Sequence, residues 1–193
     1  MTKGHKYYLF HKPYGVLSQF TKEVASHITL ADFVKVESDV YPVGRLDKDS
    51  EGLLLLTNDN KLKTTLLSPK SKKIKTYMAQ LDGDITKEAI AQLAKGVKIK
   101  VNGKKYQTLP AEARKVKKFK IPARVPPVRY RAEIPTSWVE IKIHEGKNRQ
   151  IRKMCAQVGF PVLRLIRTAI GPISHTLEDG QLVELKKSEV AKI

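Results

Sequence analysis

The chain has 193 residues, of which 37 are Lys or Arg and 19 are Asp or Glu, so its formal net charge is +18. Hydrophobic residues make up 41% of the sequence, which is enough to build a core and excludes a disordered chain in spite of the charge. The single Cys excludes an internal disulfide, and the longest run of large apolar residues, Leu53 to Leu56, is too short for a membrane span. We therefore expect a cytoplasmic protein with no metal site and no membrane anchor.

The first half of the chain is predicted to alternate strands with short helices. Pro13 and Gly15 form the first turn, and Gly52 and Asn58 bound the run of leucines. The predicted elements are a strand at residues 7–10, a short helix at 29–35, a buried strand at 53–57, a short helix at 61–67 and a strand at 75–81.

The second half begins with a helix that Thr86 caps and Gly96 ends. A hairpin is predicted at residues 97–109, because the Asn-Gly pair at 102–103 is a type I′ turn signal between two alternating segments. Five prolines and many cations at residues 110–135 predict a long loop or an irregular strand. The remaining elements are a strand at 139–143, a helix that Asn148 caps and Gly159 ends, and strands at 162–166 and 182–185.

The last predicted helix buries an apolar stripe, so Cys155 is expected to be a core residue and not a nucleophile. The stripe consists of Ile151, Met154, Cys155 and Val158. The mixture of helices and strands, with at least one antiparallel hairpin, predicts the α+β class with a largely antiparallel sheet. Because no linker is evident, we predict one catalytic unit over residues 1–193, with two lobes that divide at about residues 70–75.

The excess of positive charge predicts an anionic partner, and nucleic acid is the leading candidate. Two stretches, at residues 60–76 and 114–131, contain many cations and no acid. The second also includes Phe119 and Tyr130 as surfaces for base stacking. The prolines in the second stretch forbid a continuous amphipathic helix, which disfavours a membrane surface. A merely soluble, lysine-rich surface remains the alternative.

Chemistry is predicted in the segment 44–59, where an acidic turn runs directly into the leucine strand. Polar side chains at a strand end are a usual place for catalytic groups. The turn contains Asp47, Asp49, Ser50 and Glu51. An acidic turn that only solvates the start of the strand remains an alternative. A calcium loop is excluded, because Asn58 stands where that motif requires a Glu.

A second candidate segment, at residues 145–154, places cations at the start of a helix. Arg149 and Arg152 are three apart and are predicted to share one helical face, with Lys147 just before the helix. Cations at this end oppose the helix dipole, which indicates a bound anion. A solvated basic helix start is the alternative.

Four segments together resemble the pseudouridine synthases of the RsuA/RluB/RluE/RluF family. GRLDKDSEGLLLLTND resembles the catalytic motif, HKPYGV the opening motif, KTYMAQLDG the tyrosine motif, and EGKNRQIRKMCAQVGFPVLRLIR the C-terminal motif. They occur in the family's order and cover nearly the whole chain; HKP replaces the NKP of many relatives. Only six residues precede the first strand, so the resemblance is closest to the RluE type, and we expect no S4-like RNA-binding domain.

The resemblance implies a fold in which helices flank the sheet and a central cleft binds RNA. It also implies roles for single residues. Asp47 matches the essential aspartate, Arg45 the arginine that fills the gap left by the flipped base, Tyr77 the tyrosine that stacks on uracil, Arg152 the arginine that pairs with the aspartate, and Leu165 an apolar residue under the base. RNA-binding residues are expected at Lys147, Arg149, Lys153, Arg124, Arg129 and Arg131.

The implied reaction isomerises a specific uridine to pseudouridine in ribosomal RNA, most simply the 23S RNA of the large subunit. It needs one ionised carboxylate and consumes nothing, so no cofactor is expected, and a monomer is expected to suffice. A non-catalytic, ribosome-associated RNA-binding protein would explain the charge but not the acidic cluster. A glycoside hydrolase would use two carboxylates and would have no need of the basic surface.

Overall fold

The computed structural model of the protein describes residues 4–68, 71, 73–129, 131 and 133–192. The chain folds into two compact units, the first comprising Met1–Lys73 with Arg167–Ile193 and the second Ile74–Ile166. Among the described residues, none of the helices has the length and apolar character needed to cross a bilayer.

Ten strands and four α-helices are present in the described ranges. The strands are β1 (Tyr7–Lys12), β2 (Tyr41–Pro42), β3 (Glu51–Thr57), β4 (Lys75–Asp82), β5 (Lys98–Val101), β6 (Lys104–Gln107), β7 (Glu112–Val116), β8 (Thr136–Ile143), β9 (Val162–Ile170) and β10 (Leu182–Glu184). The helices are α1 (Asn60–Leu67), α2 (Lys87–Lys95), α3 (Gln150–Gln157) and α4 (Lys187–Val190), and a 3-10 helix spans Leu30–Asp32.

In the first unit, β1 lies between β10 and β3 and is antiparallel to both. Every residue of β3 is buried, because its two faces pack into different apolar clusters. Leu53 and Leu55 join the cluster that contains Leu9, whereas Leu54 and Leu56 join the one on the opposite face. A strand covered on both faces is expected to be continuously apolar, which is the reason for the run of leucines.

Gly52 lets the start of β3 approach β9 within the first unit. Its φ is +104°, and a Cβ atom built on it would lie 2.3 Å from the carbonyl oxygen of Arg167. No side chain fits at that distance, and the positive φ itself disfavours every residue except glycine. The residue immediately before the leucines is therefore fixed by a backbone contact.

In the second unit, the strands lie in the order β9, β4, β8, β7, with β4 and β7 both antiparallel to β8. The hairpin β5–β6 forms a separate two-stranded sheet. Asn102 and Gly103 both have positive φ (+49° and +79°), as a type I′ turn requires. Thr86 caps α2 by accepting a hydrogen bond from the N–H of Ala89 at 3.2 Å.

The α+β class and the largely antiparallel sheet are confirmed, but three local predictions are wrong. The helix expected at residues 29–35 is reduced to one 3-10 turn. Residues 110–135, expected to be a long loop or an irregular strand, form the regular strand β7 at Glu112–Val116. Helix α3 ends at Gln157, so Val158, expected within it, lies beyond it and is only half-buried.

Replacing Gly52 by Ala is expected to destabilise the protein by more than about 2 kcal/mol, since the backbone of β3 or β9 must move to admit the methyl group. Urea unfolding of Gly52→Ala against the wild type measures the loss. Gly146→Ala is the control, because Gly146 has no positive φ and no heavy atom lies within 4 Å of the position that an added Cβ would occupy. A change of similar size in both variants contradicts the assignment.

Candidate active site

Asp47 lies in a turn of the first unit that is held by hydrogen bonds on both sides. Before it, the buried Ser18 hydroxyl donates to the carbonyl oxygen of Leu46 at 2.8 Å and accepts from the Leu46 N–H at 3.0 Å. After it, the carbonyl oxygen of Lys48 accepts from the N–H of Gly15 at 2.8 Å. The opening segment of the chain thus fixes the backbone of the residues next to Asp47.

The end of the acidic turn is more deeply buried than the sequence indicates. The N–H of Ser50 donates to the carbonyl oxygen of Asp47 at 3.0 Å, which closes the turn. Ser50 and Glu51 are 2% and 0% exposed, whereas Asp47 and Asp49 are half-buried. A fully buried Glu51 does not solvate the strand entrance, so the alternative of a merely solvating turn is wrong for this residue.

Lys12 is a site residue that the sequence analysis did not single out. It ends β1, its side chain is 0% exposed, and its register partner is Gly52 at the start of β3. The ammonium group donates to the carbonyl oxygens of Pro13 at 2.9 Å and Val16 at 2.8 Å. Its position in the HKP sequence could have indicated a role for Lys12, but one lysine is not conspicuous in so basic a chain.

Burial lowers the pKa of the Lys12 ammonium from its ordinary value of 10.5 to about 8. The carboxylates of Glu51, Asp49 and Asp47 act in the opposite direction, because each stabilises the nearby cation. Lys12 is therefore still largely protonated at neutral pH, and a buried positive charge lies beside the turn that carries Asp47.

Two arginines of the first unit lie next to this turn or to the strand β3 that follows it. Arg45 is exposed, and its Nη2 donates to the side-chain oxygen of Gln19 at 3.4 Å. Arg167 is 6% exposed, and its Nε donates to the carbonyl oxygen of Leu53 at 2.7 Å. Arg167 is a second cation that the sequence analysis missed: it is the last residue of the resembling C-terminal segment, and no role was assigned to it there.

The second unit contains the predicted Tyr77 and Leu165. Tyr77 lies in β4 opposite Ile141 of β8 and is 9% exposed. Leu165 lies in β9 and is 5% exposed. Both side chains are therefore largely shielded from water in the absence of RNA.

The predicted cap of α3 is wrong. The helix begins at Gln150, and its N-cap residue is Arg149, which has a left-handed backbone (φ +51°) and makes no capping hydrogen bond with its side chain. Arg149 therefore lies outside the helix and does not share a helical face with Arg152. The side-chain oxygen of Asn148 accepts from the ammonium group of Lys153 at 3.1 Å instead.

Arg152 lies in the first turn of α3 and is half-buried. Its Nη1 donates to the carbonyl oxygen of Val162 at 3.2 Å, so the side chain is oriented by the start of β9. Lys147 is exposed, and its ammonium group lies 4.8 Å from the ring centre of Tyr106.

Glu145 connects the basic segment at residues 145–154 to the hairpin β5–β6 through hydrogen bonds. Its carboxylate accepts from the Tyr106 hydroxyl at 2.5 Å, from the Leu109 N–H at 2.9 Å and from the Gln150 side chain at 2.6 Å. The Gln150 side chain in turn accepts from the N–H of Lys147 at 2.9 Å. The hydrogen bond to Glu145 raises the pKa of the Tyr106 phenol, because the carboxylate stabilises the protonated form.

The acid-free stretch at residues 114–131 has acidic neighbours in the folded chain. Cross-strand pairing and loops bring carboxylates from other elements onto three of its cations. The pairs are Arg114 with Glu140 at 2.8 Å, Lys115 with Asp84, and Arg131 with Asp82 at 3.2 Å.

Two further residues of this stretch take part in local packing. The guanidinium of Arg124 donates to the carbonyl oxygens of Pro126 at 2.8 Å and Pro127 at 3.2 Å. Phe119 packs edge-on against Trp138, with ring centres 5.0 Å apart. Arg129 is exposed. The predicted stacking residue Tyr130 lies outside the described residues, as do Lys70 and Lys72 of the first cationic stretch.

In the part of the chain that the structure describes, no group of three or more His, Cys, Asp or Glu is placed to hold a metal ion. Cys155 is 0% exposed in α3, and burial raises the pKa of its thiol to about 12. The prediction that Cys155 is a core residue is confirmed.

Comparison with known proteins gives matches over nearly the whole chain. Ribosomal large subunit pseudouridine synthase E of Vibrio parahaemolyticus is 47% identical over 185 residues, which cover 95% of this chain and 75% of that protein. The protein of the same name in Xanthomonas campestris pv. campestris is 45% identical over 90% of this chain and 91% of its own length. Ribosomal large subunit pseudouridine synthase B of Bacillus subtilis is 34% identical over 97% of this chain and 70% of its own length.

Comparison of the fold with solved structures also gives a match to a pseudouridylate synthase. A crystal structure of a pseudouridylate synthase matches 98% of this chain and 74% of its own with a TM-score of 0.78 and 28% identity. The class that sequence and fold define is therefore that of isomerases that act on uridine in RNA. Residues 6–157 match the family model of the RNA pseudouridylate synthases, and the chain belongs to that family.

The pKa of Lys12 predicts how stability depends on pH. Below pH 8 the folded and unfolded chains both hold the proton, and the cost of burying the cation is fully present. Between pH 8 and 10.5 only the unfolded chain holds it, so the free energy of unfolding rises with pH by on the order of 3 kcal/mol from this group.

Urea unfolding of the wild type and Lys12→Met at pH 7.5, 9 and 10.5 measures this effect. The wild type is expected to gain stability relative to the variant as the pH rises. Lys35→Met is the control, since Lys35 is exposed and its removal leaves the pH dependence unchanged. A constant difference between the wild type and Lys12→Met at all three pH values contradicts a depressed pKa.

Proposed function

We propose that this protein isomerises a specific uridine to pseudouridine in the ribosomal RNA of the large subunit, with Asp47 as the essential carboxylate. Family membership supplies the reaction, and the names of the relatives from Vibrio, Xanthomonas and Bacillus supply the class of RNA. The reaction breaks the glycosidic bond, turns the uracil and rejoins it to the ribose through carbon five. It is redox-neutral and consumes no other reactant.

The observation that carries the assignment of Asp47 is the way its turn is held. Hydrogen bonds from Ser18 and Gly15 fix the residues on either side, and the charge of buried Lys12 lies near the carboxylate. A fixed backbone reduces the orientational freedom that a reacting group loses in the transition state. The positive charge of Lys12 is an electrostatic partner for the carboxylate that attacks the ribose or removes a proton from it.

The other residues of the proposed site follow from the family resemblance. In this proposal Arg45 fills the gap left by the flipped uridine, Tyr77 stacks on the uracil, and Leu165 packs under it. Arg152 is the residue that the family resemblance implies as the partner of the essential aspartate. Flipping a base out of the stack costs a few kcal/mol, and stacking on Tyr77 recovers about 1–3 kcal/mol of it.

RNA affinity is proposed to come first from the cations around the start of α3, of which Lys147 and Arg149 are exposed and Lys153 is half-buried, and from the exposed Arg129. Arg124 and Arg131 belong to the same proposal, but RNA must compete there with the contacts to Pro126 and Asp82. We further propose that the chain is one catalytic domain that acts as a monomer in the cytoplasm.

Asp47→Asn is expected to abolish pseudouridine formation while RNA affinity stays within a few-fold of the wild type, because the change removes one charge and almost no volume. Pseudouridine is measured in ribosomal RNA from a strain that lacks the gene, after incubation with purified protein. Filter binding to the same RNA gives the affinity.

Asp49→Asn is the matched control, since it removes the same charge two residues away and also lies near Lys12. It is expected to keep most of the activity. Substantial turnover by purified Asp47→Asn, or equal losses in both variants, contradicts Asp47 as the essential group. A wild type that binds RNA and forms no pseudouridine supports the non-catalytic alternative.

Ser18→Ala tests whether the turn positions Asp47. The hydroxyl makes two hydrogen bonds to the backbone of Leu46, and a shift of about 1 Å at a reacting group can cost a hundredfold in rate. We expect kcat to fall by about ten- to a hundredfold, with RNA affinity unchanged. Steady-state kinetics at saturating RNA and filter binding measure the two effects.

Thr57→Val is the control for a purely structural loss. The buried Thr57 hydroxyl also bridges two backbone groups of the first unit, donating to Lys6 at 2.6 Å and accepting from Asp59 at 3.0 Å. Each variant is expected to lose about 1–2 kcal/mol of stability, but only Ser18→Ala loses kcat. Equal kcat in the two variants shows that Ser18 serves stability alone.

A further inference from the structure

The hairpin β5–β6 has one face that packs and one that is exposed. Cross-strand partners point to the same side, so the pairing of Ile99 with Tyr106 and of Val101 with Lys104 defines the first face. Ile99 is 4% exposed, and Tyr106 and Val101 are half-buried. This face is the one that the rest of the second unit covers.

The opposite face is made of three lysines and a glutamine, all of them exposed. Its members are Lys98, Lys100, Lys105 and Gln107, which we call the lysine face. Lys100 and Lys105 are direct cross-strand partners, and Lys98 is two residues from Lys100, so about 7 Å separates those two along the strand. Within the described ranges, no carboxylate lies at ion-pair distance from any of the three lysines.

Like charges directly opposite each other destabilise a strand pair. The hairpin therefore carries a repulsion between Lys100 and Lys105 that no described neighbour relieves. Elsewhere in the same unit the sheet avoids this arrangement: Arg114 faces Glu140, and Lys142 faces Glu112. The lysine face is therefore an exposed group of like charges that an anionic partner would neutralise.

The hairpin is also fixed to the segment that precedes α3. Tyr106, on its packed face, donates to Glu145, and Glu145 accepts from Gln150 at the start of the helix. The same ring lies against the ammonium group of Lys147. The lysine face and the proposed RNA-binding cations Lys147 and Arg149 thus belong to one connected part of the second unit.

We infer that the lysine face binds the phosphate backbone of RNA next to the segment that carries the target uridine, an inference that rests on the proposed function. An RNA strand offers closely spaced negative charges, and lysines that neutralise phosphates gain affinity by releasing condensed counterions. The face has no aromatic or apolar side chain, so it fits a backbone and offers nothing with which to read bases. An acidic protein surface is the competing partner, and the test separates the two.

The test is the triple variant Lys98→Gln, Lys100→Gln, Lys105→Gln. All three side chains are exposed and point away from the packed face, so the fold is expected to be retained and the thermal midpoint to rise slightly as the repulsion disappears. Affinity for protein-free large-subunit ribosomal RNA is measured by filter binding from 50 to 300 mM salt. We expect binding at least about tenfold weaker at low salt, a slope of log affinity against log salt shallower by roughly 2, and an unchanged kcat at saturating RNA.

The control variant Lys35→Gln, Lys187→Gln, Lys192→Gln removes the same three charges from exposed positions of the first unit. Equal losses in both variants show that only total charge counts and overturn the inference, as does a triple hairpin variant with wild-type affinity and slope. Unchanged RNA binding with weaker binding to polyglutamate assigns the face to an acidic protein instead. Binding is measured separately from turnover. A wild type that binds RNA without isomerising it therefore contradicts the proposed function but not the RNA-binding role of the lysine face.

Discussion

The charge of Lys12, buried at the end of β1, is the interaction on which the first unit depends. Taking an ammonium group out of water is unfavourable unless hydrogen bonds and opposite charges replace the solvent. The carbonyl oxygens of Pro13 and Val16 supply the hydrogen bonds, and Glu51, Asp49 and Asp47 supply the charge. The acidic turn offsets part of the cost of this buried charge, so a group proposed for chemistry also contributes to the electrostatics of the core.

Much of this architecture follows from local sequence. The run of leucines in β3 predicts a buried strand, because an element covered on both faces has no polar positions. Asn102 and Gly103 predict the hairpin through the backbone angles that only such residues adopt easily. The apolar spacing of Ile151, Met154 and Cys155 predicts the buried side of α3. Asp47 was predicted through family resemblance, since spacing alone left a solvating turn equally open.

The features that the sequence did not predict depend on contacts between distant residues. The stretch at residues 114–131 contains no acid in the sequence, but the pairing of β7 with β8 places Glu140 opposite Arg114. Nothing in the local sequence predicts the left-handed backbone of Arg149, because arginine rarely adopts this conformation. As a result Arg149 lies outside the helix and does not share the expected helical face with Arg152. In the sequence, nothing distinguishes Lys12 from a surface lysine. Its burial follows from the pairing of the end of β1 with the start of β3.

The burial of Cys155 has a practical consequence for work with this protein. Its thiol has a pKa of about 12 and no exposure to solvent, so the reactive thiolate is scarce at neutral pH and reagents have no access to it. It is the only cysteine of the sequence. A fluorophore or spin label can therefore be directed to one cysteine introduced on the surface, for instance at the hairpin turn, without first removing the native one.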